Sequence, residues 1–144
     1  MAQAQYAVTV ARPIEDVFAY VADGTNNPRW RAGVVEIERT SAAGEEGATY
    51  RQVLKGPGGR HIAGDYRVTT YRSPHLLEFE VTAGPARPTG RFELAEAGPG
   101  ATTVTFTLDV QPTGFMKLMG PMIAKQMDTE VHQLDRLKTD LERG

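Results

Sequence analysis

A single carboxylate on the apolar side of a predicted helix is the residue best placed to do chemistry. Counted at about 100° per residue, Glu130 falls among Ile123, Met127, Leu134 and Leu137. A carboxylate buried there must find a partner or take up a proton, because an unpaired charge inside a protein is too costly. Glu130 is therefore a candidate ligand contact or acid/base catalyst. The alternative is a structural residue that reaches solvent at the helix edge or pairs with an arginine.

Three polar side chains are predicted to point inward from neighbouring strands. Tyr50, Gln52 and Tyr66 sit at the inward positions of alternating apolar and polar segments. Hydrogen bonds to a ligand would satisfy these groups, and so would hydrogen bonds among themselves. Trp30, the only tryptophan, ends a short predicted helix. It either lines or gates a pocket, or it is a plug that holds the helices onto the sheet.

Composition excludes several kinds of chemistry. The chain has no cysteine, which removes disulfides, thiolate nucleophiles and cysteine-ligated metals. The histidines and serines lack the spacing of a zinc site or a catalytic triad, so we predict no metal and no cofactor. A net charge of −2 argues against a nucleic-acid partner. No apolar run approaches the roughly 20 residues of a membrane span, and the N-terminus lacks a secretory signal. We therefore expect a cytoplasmic protein.

The C-terminal stretch predicts a long helix from about Gly114 to Glu142, with apolar residues at three- and four-residue steps. Pro121 should kink or restart it, because proline lacks an amide hydrogen. Methionines dominate its first half, and their flexible side chains suit either an adaptable pocket wall or irregular gaps in the core against the sheet. The helix residues that we predict to line such a wall are Met116, Met119, Ile123 and Met127.

The preceding chain predicts one strand, two short helices and six further strands. Residues 5–11 alternate as a strand, and Pro13 opens a helix that Gly24 should end as a left-handed cap. Asn27 and Pro28 are expected to cap and begin the second helix. From residue 34 onward apolar and polar residues alternate, which is typical of antiparallel sheet with one solvated face. Residues 62–68 are predicted to form one of these strands.

Aromatic residues dominate the inward face of the later strands, where Phe79, Phe92 and Phe106 are expected to point into the interior. Seven strands with only one wet face must curl, because twist accumulates across a sheet. The expected fold is therefore α+β, with a curved seven-stranded antiparallel sheet around a long C-terminal helix. Two short helices lie between strands 1 and 2, and residues 1–144 form a single domain.

The order of these elements and several local motifs resemble the START-like superfamily, also called the birch-pollen-allergen-like or helix-grip fold. The bacterial polyketide cyclase/dehydrase-type branch is the most similar. The resemblance rests on residues 11–18 (ARPIEDVF), Asp23 with 27–30 (NPRW), 69–74 (TTYRSP) before 77–79 (LEF), and Leu134, Leu137, Lys138, Leu141 and Glu142. It implies a cavity between the sheet and the long helix that holds a hydrophobic or amphipathic small molecule. Inward positions that mix aromatic, small and polar residues agree with an interior that does not pack solidly.

Three functions follow, in order of preference. The first is a carrier, sequestering or sensing protein that binds a small apolar or amphipathic molecule, as a monomer or homodimer. The second is a polyketide cyclase or dehydratase-like enzyme that uses a cavity acid/base, and the third is a protein-interaction module. The candidate ligand-binding residues are Trp30, Tyr50, Gln52, Tyr66, Phe79, Phe92, Phe106, Met116, Met119, Ile123, Met127 and Glu130.

Overall fold

The computed structural model describes residues 2–42, 45–84, 87–110 and 120–143. Met116 and Met119 therefore lie outside the described residues. The strands are β1 (Ala2–Val10), β2 (Val34–Arg39), β3 (Thr49–Lys55), β4 (His61–Ala63), β5 (Tyr66–Arg72), β6 (Leu76–Val81), β7 (Thr89–Glu96) and β8 (Thr102–Val110). The α-helices are α1 (Ile14–Ala22), α2 (Asn27–Trp30), α3 (Gly120–Val131) and α4 (Leu134–Arg143), and short 3-10 turns span Gly24–Asn26 and Pro57–Gly59.

The strands form one antiparallel sheet in the order β1-β8-β7-β6-β5-β3-β2, with β4 paired to β3 beside this path. The inward positions of the central strands are apolar and buried, as the alternation predicts. Helices α1 and α2 connect β1 to β2, and α3 and α4 follow β8. The predicted curved seven-stranded sheet with a C-terminal helix is confirmed.

The single strand predicted over residues 62–68 is divided into β4 and β5, and this part of the prediction is wrong. Both pieces pair with β3 in one register. Between them the Gly64 N–H still donates to the Gln52 carbonyl at 2.8 Å, but side chains replace the return bond between the Gln52 N–H and the Gly64 carbonyl. The Gln52 N–H donates to the Asp65 carboxylate at 3.2 Å, and the Gln52 side chain donates to the Gly64 carbonyl at 3.2 Å. These bonds interrupt the ladder without shifting it.

The predicted continuous C-terminal helix is also interrupted, because α3 ends at Val131 and α4 begins at Leu134. At the break, the His132 ring contacts the Asp128 carbonyl at 2.7 Å, and the Gln133 side chain donates to the Thr129 carbonyl at 3.3 Å. Side chains that bind nearby carbonyl groups compete with regular helical hydrogen bonds. Pro121 lies in the first turn of α3, where its missing N–H costs little.

The C-terminal helices lie mainly against one edge of the sheet. Both α3 and α4 pack against β1, α3 also packs against β8, and α4 contacts α2. Their buried side chains belong to the main core: Met127, Val131, Leu134, Leu137 and Leu141. In the part of the chain that the structure describes, no helix is long and apolar enough to cross a membrane.

Candidate functional site

A small interior cavity lies beneath the short helices and against the middle of the sheet. Its volume is about 10 Å³, which is room for about one water molecule. Apolar side chains from α1 and from strands β5 to β7 form most of its wall: Val21, Ala22, Val68, Leu77, Phe79 and Phe92. Its polar lining comes from Asn27 and Arg31 at the ends of α2 and from Tyr66 on β5.

This cavity differs in size and position from the space that the sequence predicts. Within the described ranges, its lining comes from α1, α2, β5, β6 and β7, and no residue of α3 or α4 contributes. The described interior is therefore more solidly packed than the mixed inward positions suggest. Met127 is buried and Ile123 half-buried in the core, but neither borders the cavity.

A cluster of aromatic rings fills the interior beside the cavity. Phe92 and Phe106 stack with ring centroids 4.3 Å apart, and Trp30 meets both edge-on at 6.0 Å. Phe79 lies 6.0 Å from Phe92 and covers Gly90 on the neighbouring strand. Trp30 is only 1% exposed and does not border the cavity. Its packing is that of a plug that holds α2 onto the sheet.

The Trp30 indole carries an unusual feature for a buried group. Its Nε1 has no hydrogen-bond partner among the described residues. Most buried donors in proteins are paired, and an unpaired one lowers stability. The Phe92 and Phe106 rings that surround the indole offer apolar contact but no conventional acceptor.

The three polar residues predicted to point inward do come together, and Asn27 joins them. Its Nδ2 donates to the Gln52 Oε1 at 3.0 Å and to the Tyr66 hydroxyl at 3.1 Å. The Tyr50 hydroxyl accepts from the Gly24 N–H at 3.2 Å, and the Tyr50 and Tyr66 rings stack at 4.9 Å. We call Asn27, Tyr50, Gln52 and Tyr66 the polar cluster. Its members partner one another, and their contact with a ligand stays a prediction.

The Tyr66 phenol is a hydrogen-bond donor at neutral pH. Burial raises the pKa of Tyr66, and the nearby Tyr50 phenol raises it further. The hydroxyl accepts from Asn27, so its own hydrogen can be donated to another acceptor, and Tyr66 is among the residues that line the cavity. The cluster can therefore polarise a carbonyl group or hold an acceptor oxygen.

Glu130 is held in an ion pair with Arg31. The Arg31 Nε and Nη2 both donate to the Glu130 Oε2, at 3.2 and 3.0 Å. The side chains are only 10% and 16% exposed, and the guanidinium carbon lies 5.9 Å from the centroid of the Trp30 ring. Glu130 thus pairs with an arginine, which was one of the structural roles considered from the sequence. Its proposed roles toward a ligand stay predictions.

The sequence-based reasoning missed two residues of this site, Asn27 and Arg31. Asn27 does not cap α2, because the helix begins with it and its side chain turns into the interior. One signal was available. Residues 27, 30 and 31 have the i, i+3, i+4 spacing that brings side chains to one helix face. Burial of Trp30 therefore takes Asn27 and Arg31 inward with it.

Potential metal ligands are not grouped together in the described ranges. No group of three or more histidine, aspartate or glutamate side chains lies close enough to hold an ion there. The polar groups that border the cavity are an amide, a phenol and a guanidinium. None of these is a usual ligand for a divalent metal.

A curled antiparallel sheet that holds a C-terminal helix, with short helices between the first two strands, is the helix-grip fold of START-like proteins. Over residues 1–142 the sequence matches the family described as "Polyketide cyclase / dehydrase and lipid transport". The chain belongs to this family. No curated protein matches the sequence.

Solved structures agree with this fold. A START superfamily protein from Mycobacterium smegmatis superposes with a TM-score of 0.81 at 18% identity, covering 99% of both chains. The Zhui aromatase/cyclase from Streptomyces sp. R1128 gives 0.76 at 16% identity, covering 98% of this chain and 93% of that one. The di-domain ARO/CYC BexL from the BE-7585A biosynthetic pathway gives 0.79 at 18% identity, covering 99% of this chain. The chain spans 47% of the length of BexL.

Proposed function

We propose that the protein binds a hydrophobic or amphipathic small molecule in its interior, between the sheet and the helices that cover it, and carries, sequesters or senses that molecule. The observation that carries this proposal is the interior cavity, whose wall is apolar and aromatic on one side and polar on the other. Ligand sites are typically apolar with a few placed polar groups. Membership of a family described by cyclase, dehydrase and lipid-transport functions supports the same class of ligand.

Binding requires the interior to open. A cavity of about 10 Å³ admits little more than one water, so side chains or helices must move before a larger molecule enters. The covering elements α1 and α2 are short, and the 3-10 turn Gly24–Asn26 separates them. We propose that this side of the cavity opens, because the opposite wall is the hydrogen-bonded sheet.

Two measurements test the proposal. Native mass spectrometry of protein purified from its own host should detect a co-purifying small molecule. Titration with apolar compounds of graded size, followed by the fluorescence of Trp30, should show saturable binding. Trp30 suits this measurement because it is the only tryptophan and packs against Phe92, which lines the cavity.

A matched pair of variants separates interior binding from adsorption to the surface. Ala22 is buried in the cavity wall, so Ala22→Leu places new atoms where the ligand would sit. Ala124 is exposed on α3, so Ala124→Leu adds the same atoms to the surface. We expect Ala22→Leu to weaken binding at least tenfold and Ala124→Leu to leave it unchanged. Circular dichroism should confirm that both variants fold. Equal binding by both variants would contradict an interior site.

A cyclase or dehydratase-like reaction is the second candidate function. The family description and the protonated Tyr66 phenol at the cavity favour it, because such a donor can polarise a substrate carbonyl. Incubation with a poly-β-ketone thioester analogue, followed by mass spectrometry of the products, would reveal conversion. Tyr66→Phe should then lower the rate at least tenfold while binding is kept. Binding without conversion would support the carrier.

A further inference from the structure

We infer that the ligand carries a carboxylate group that binds Arg31 in exchange for Glu130. This inference rests on the proposed function and names the chemical class of the molecule at that site. Arg31 borders the cavity, and its side chain is 10% exposed. A buried cation is costly without an anionic partner, and Arg31 is the only charged group among the described residues that line the cavity.

Arg31 has donors to spare. A guanidinium has N–H groups on Nε, Nη1 and Nη2, and Glu130 takes one from Nε and one from Nη2. Both N–H groups of Nη1 and the second of Nη2 have no acceptor among the described residues. The Tyr66 hydroxyl adds a further donor at the same cavity, since it accepts from Asn27 and keeps its own hydrogen. The polar side of the cavity is therefore rich in hydrogen-bond donors and is complementary to a ligand with acceptor oxygens.

The existing ion pair leaves room for a better partner. Both Arg31 contacts fall on one oxygen of Glu130, Oε2, whereas arginine and carboxylate pair most strongly through two parallel bonds to two oxygens. A free carboxylate that enters from the cavity can adopt the two-oxygen arrangement. Glu130 thus occupies the position of an anionic ligand with less than optimal geometry.

Arg31 can neutralise only one carboxylate at a time, either that of Glu130 or that of the ligand. Arg31 and Glu130 together are neutral, so an anionic ligand added beside them would leave one carboxylate unpaired in a desolvated site. The Glu130 side chain is 16% exposed, so it can turn toward solvent when a ligand takes its place. Glu130 is then an internal competitor that sets the affinity for the acid, and removal of its charge should strengthen binding.

Isothermal titration calorimetry with matched acids and amides tests this inference. The probes are decanoic acid against decanamide and 2-naphthoic acid against 2-naphthamide, because each pair shares its apolar part. Wild-type protein should bind each acid at least tenfold more tightly than its amide. Glu130→Gln should raise the affinity for the acids about tenfold more than it raises the affinity for the amides. Glu38→Gln removes a carboxylate from an exposed ion pair with Arg51 and is the matched control; it should change neither.

A double variant tests the inference without leaving a buried charge unpaired, which could prevent folding. Arg31→Met combined with Glu130→Gln removes both charges and leaves neither one unpaired. It should bind each acid no more tightly than the matching amide. If each amide binds as tightly as its acid, both in wild-type protein and in Glu130→Gln, the inference is wrong and the proposed function still stands. Glu130→Gln binding that gains equally for acids and amides, or does not gain for the acids, overturns it as well. Failure of every acid and every amide to bind overturns the proposed function and the inference together.

Discussion

Removal of the Arg31 charge should destabilise the fold through the carboxylate that it leaves behind. Breaking a buried ion pair at one partner costs about 3–5 kcal/mol. The Glu130 side chain is 16% exposed, so water can solvate the unpaired carboxylate and offset part of this cost. We therefore expect Arg31→Met to lower the free energy of unfolding by about 2–3 kcal/mol. Glu130→Gln should cost less, about 1–2 kcal/mol, because the amide oxygen still accepts from Arg31.

The double variant Arg31→Met/Glu130→Gln leaves no unpaired charge at this pair. We expect it to be about as stable as Glu130→Gln alone, which gives a coupling energy of about 2–3 kcal/mol between the two residues. Urea unfolding followed by circular dichroism measures all four proteins, with Trp30 fluorescence as a second signal. Equal m-values would show that the variants differ in stability and not in the extent of unfolding.

A surface pair provides the comparison for this cycle. Arg51 and Glu38 are 44% and 60% exposed and 2.8 Å apart, so the same cycle at that pair should give a much smaller coupling energy. A coupling between Arg31 and Glu130 as small as that of the surface pair would refute the reasoning. It would mean that solvent reaches both groups despite their burial.

Three further predictions concern packing and protonation. Gly24→Ala should lower stability by about 2–3 kcal/mol, because its Cβ would lie 2.1 Å from the Tyr66 hydroxyl oxygen. Gly120→Ala has nothing within 4 Å of its Cβ and should be neutral or slightly stabilising in the same urea titration. Burial raises the pKa of Tyr66, so its contribution to stability is complete below about pH 10, the unfolded value, and is lost as the pH rises above it. Thermal melts of Tyr66→Phe should therefore fall less steeply than wild type between about pH 10 and 12; identical slopes would contradict this. Met127→Ala should cost about 2–4 kcal/mol and Met122→Ala close to nothing, because the first is 5% and the second 58% exposed.

The fold could be predicted because burial in this protein follows local sequence periods. In β7 the inward residues Gly90, Phe92 and Leu94 alternate with outward charged and polar residues, and β8 shows a similar alternation through Phe106. Period alone does not reveal where a side chain replaces a backbone partner. The divided strand at Asp65 and the interrupted helix at Gln133 arise from such replacements. Both lie within otherwise regular patterns and leave no mark on the apolar period.

The edge strand β2 shows the same limit in another form. Strict alternation would place Val35 on the same face as Ile37, but Val35 is 44% exposed. A shift of register between Val34 and Glu36 inserts an extra residue, and the displaced Val35 side chain faces solvent. A bulge of one residue reverses the face of its neighbour. Residues 34–36 include no glycine or proline that would indicate the bulge.

Some residues of the site could be predicted from the local sequence, whereas others depend on partners far away in the chain. Strand parity placed Tyr50, Gln52 and Tyr66 inward, because parity is a local property. The roles of Asn27 and Arg31 depend on partners that are 25, 39 and 99 residues away in the sequence. Periodicity contains no information on such pairings.

Gly24 is a further case of a distant cause. A glycine after a helix predicts a left-handed cap, but Gly24 lies in a 3-10 turn and has no positive φ. Its small size matters because the phenol rings of Tyr50 and Tyr66 pack directly on its backbone. The glycine is therefore required by two side chains on strands that follow it in the sequence, and only the folded arrangement reveals this requirement.

The closed interior would lower the apparent affinity for any ligand that binds there. If only a fraction of molecules is open at any moment, the apparent affinity falls by that fraction, and an opening free energy of about 3 kcal/mol weakens binding roughly a hundredfold. The polar cluster and the Arg31–Glu130 pair oppose opening, because movement of α2 away from the sheet separates Asn27 from Gln52 and Arg31 from Glu130. A ligand that satisfies Arg31 replaces the contact that opening breaks. The same groups that keep the empty interior closed would thus select the molecule that fills it.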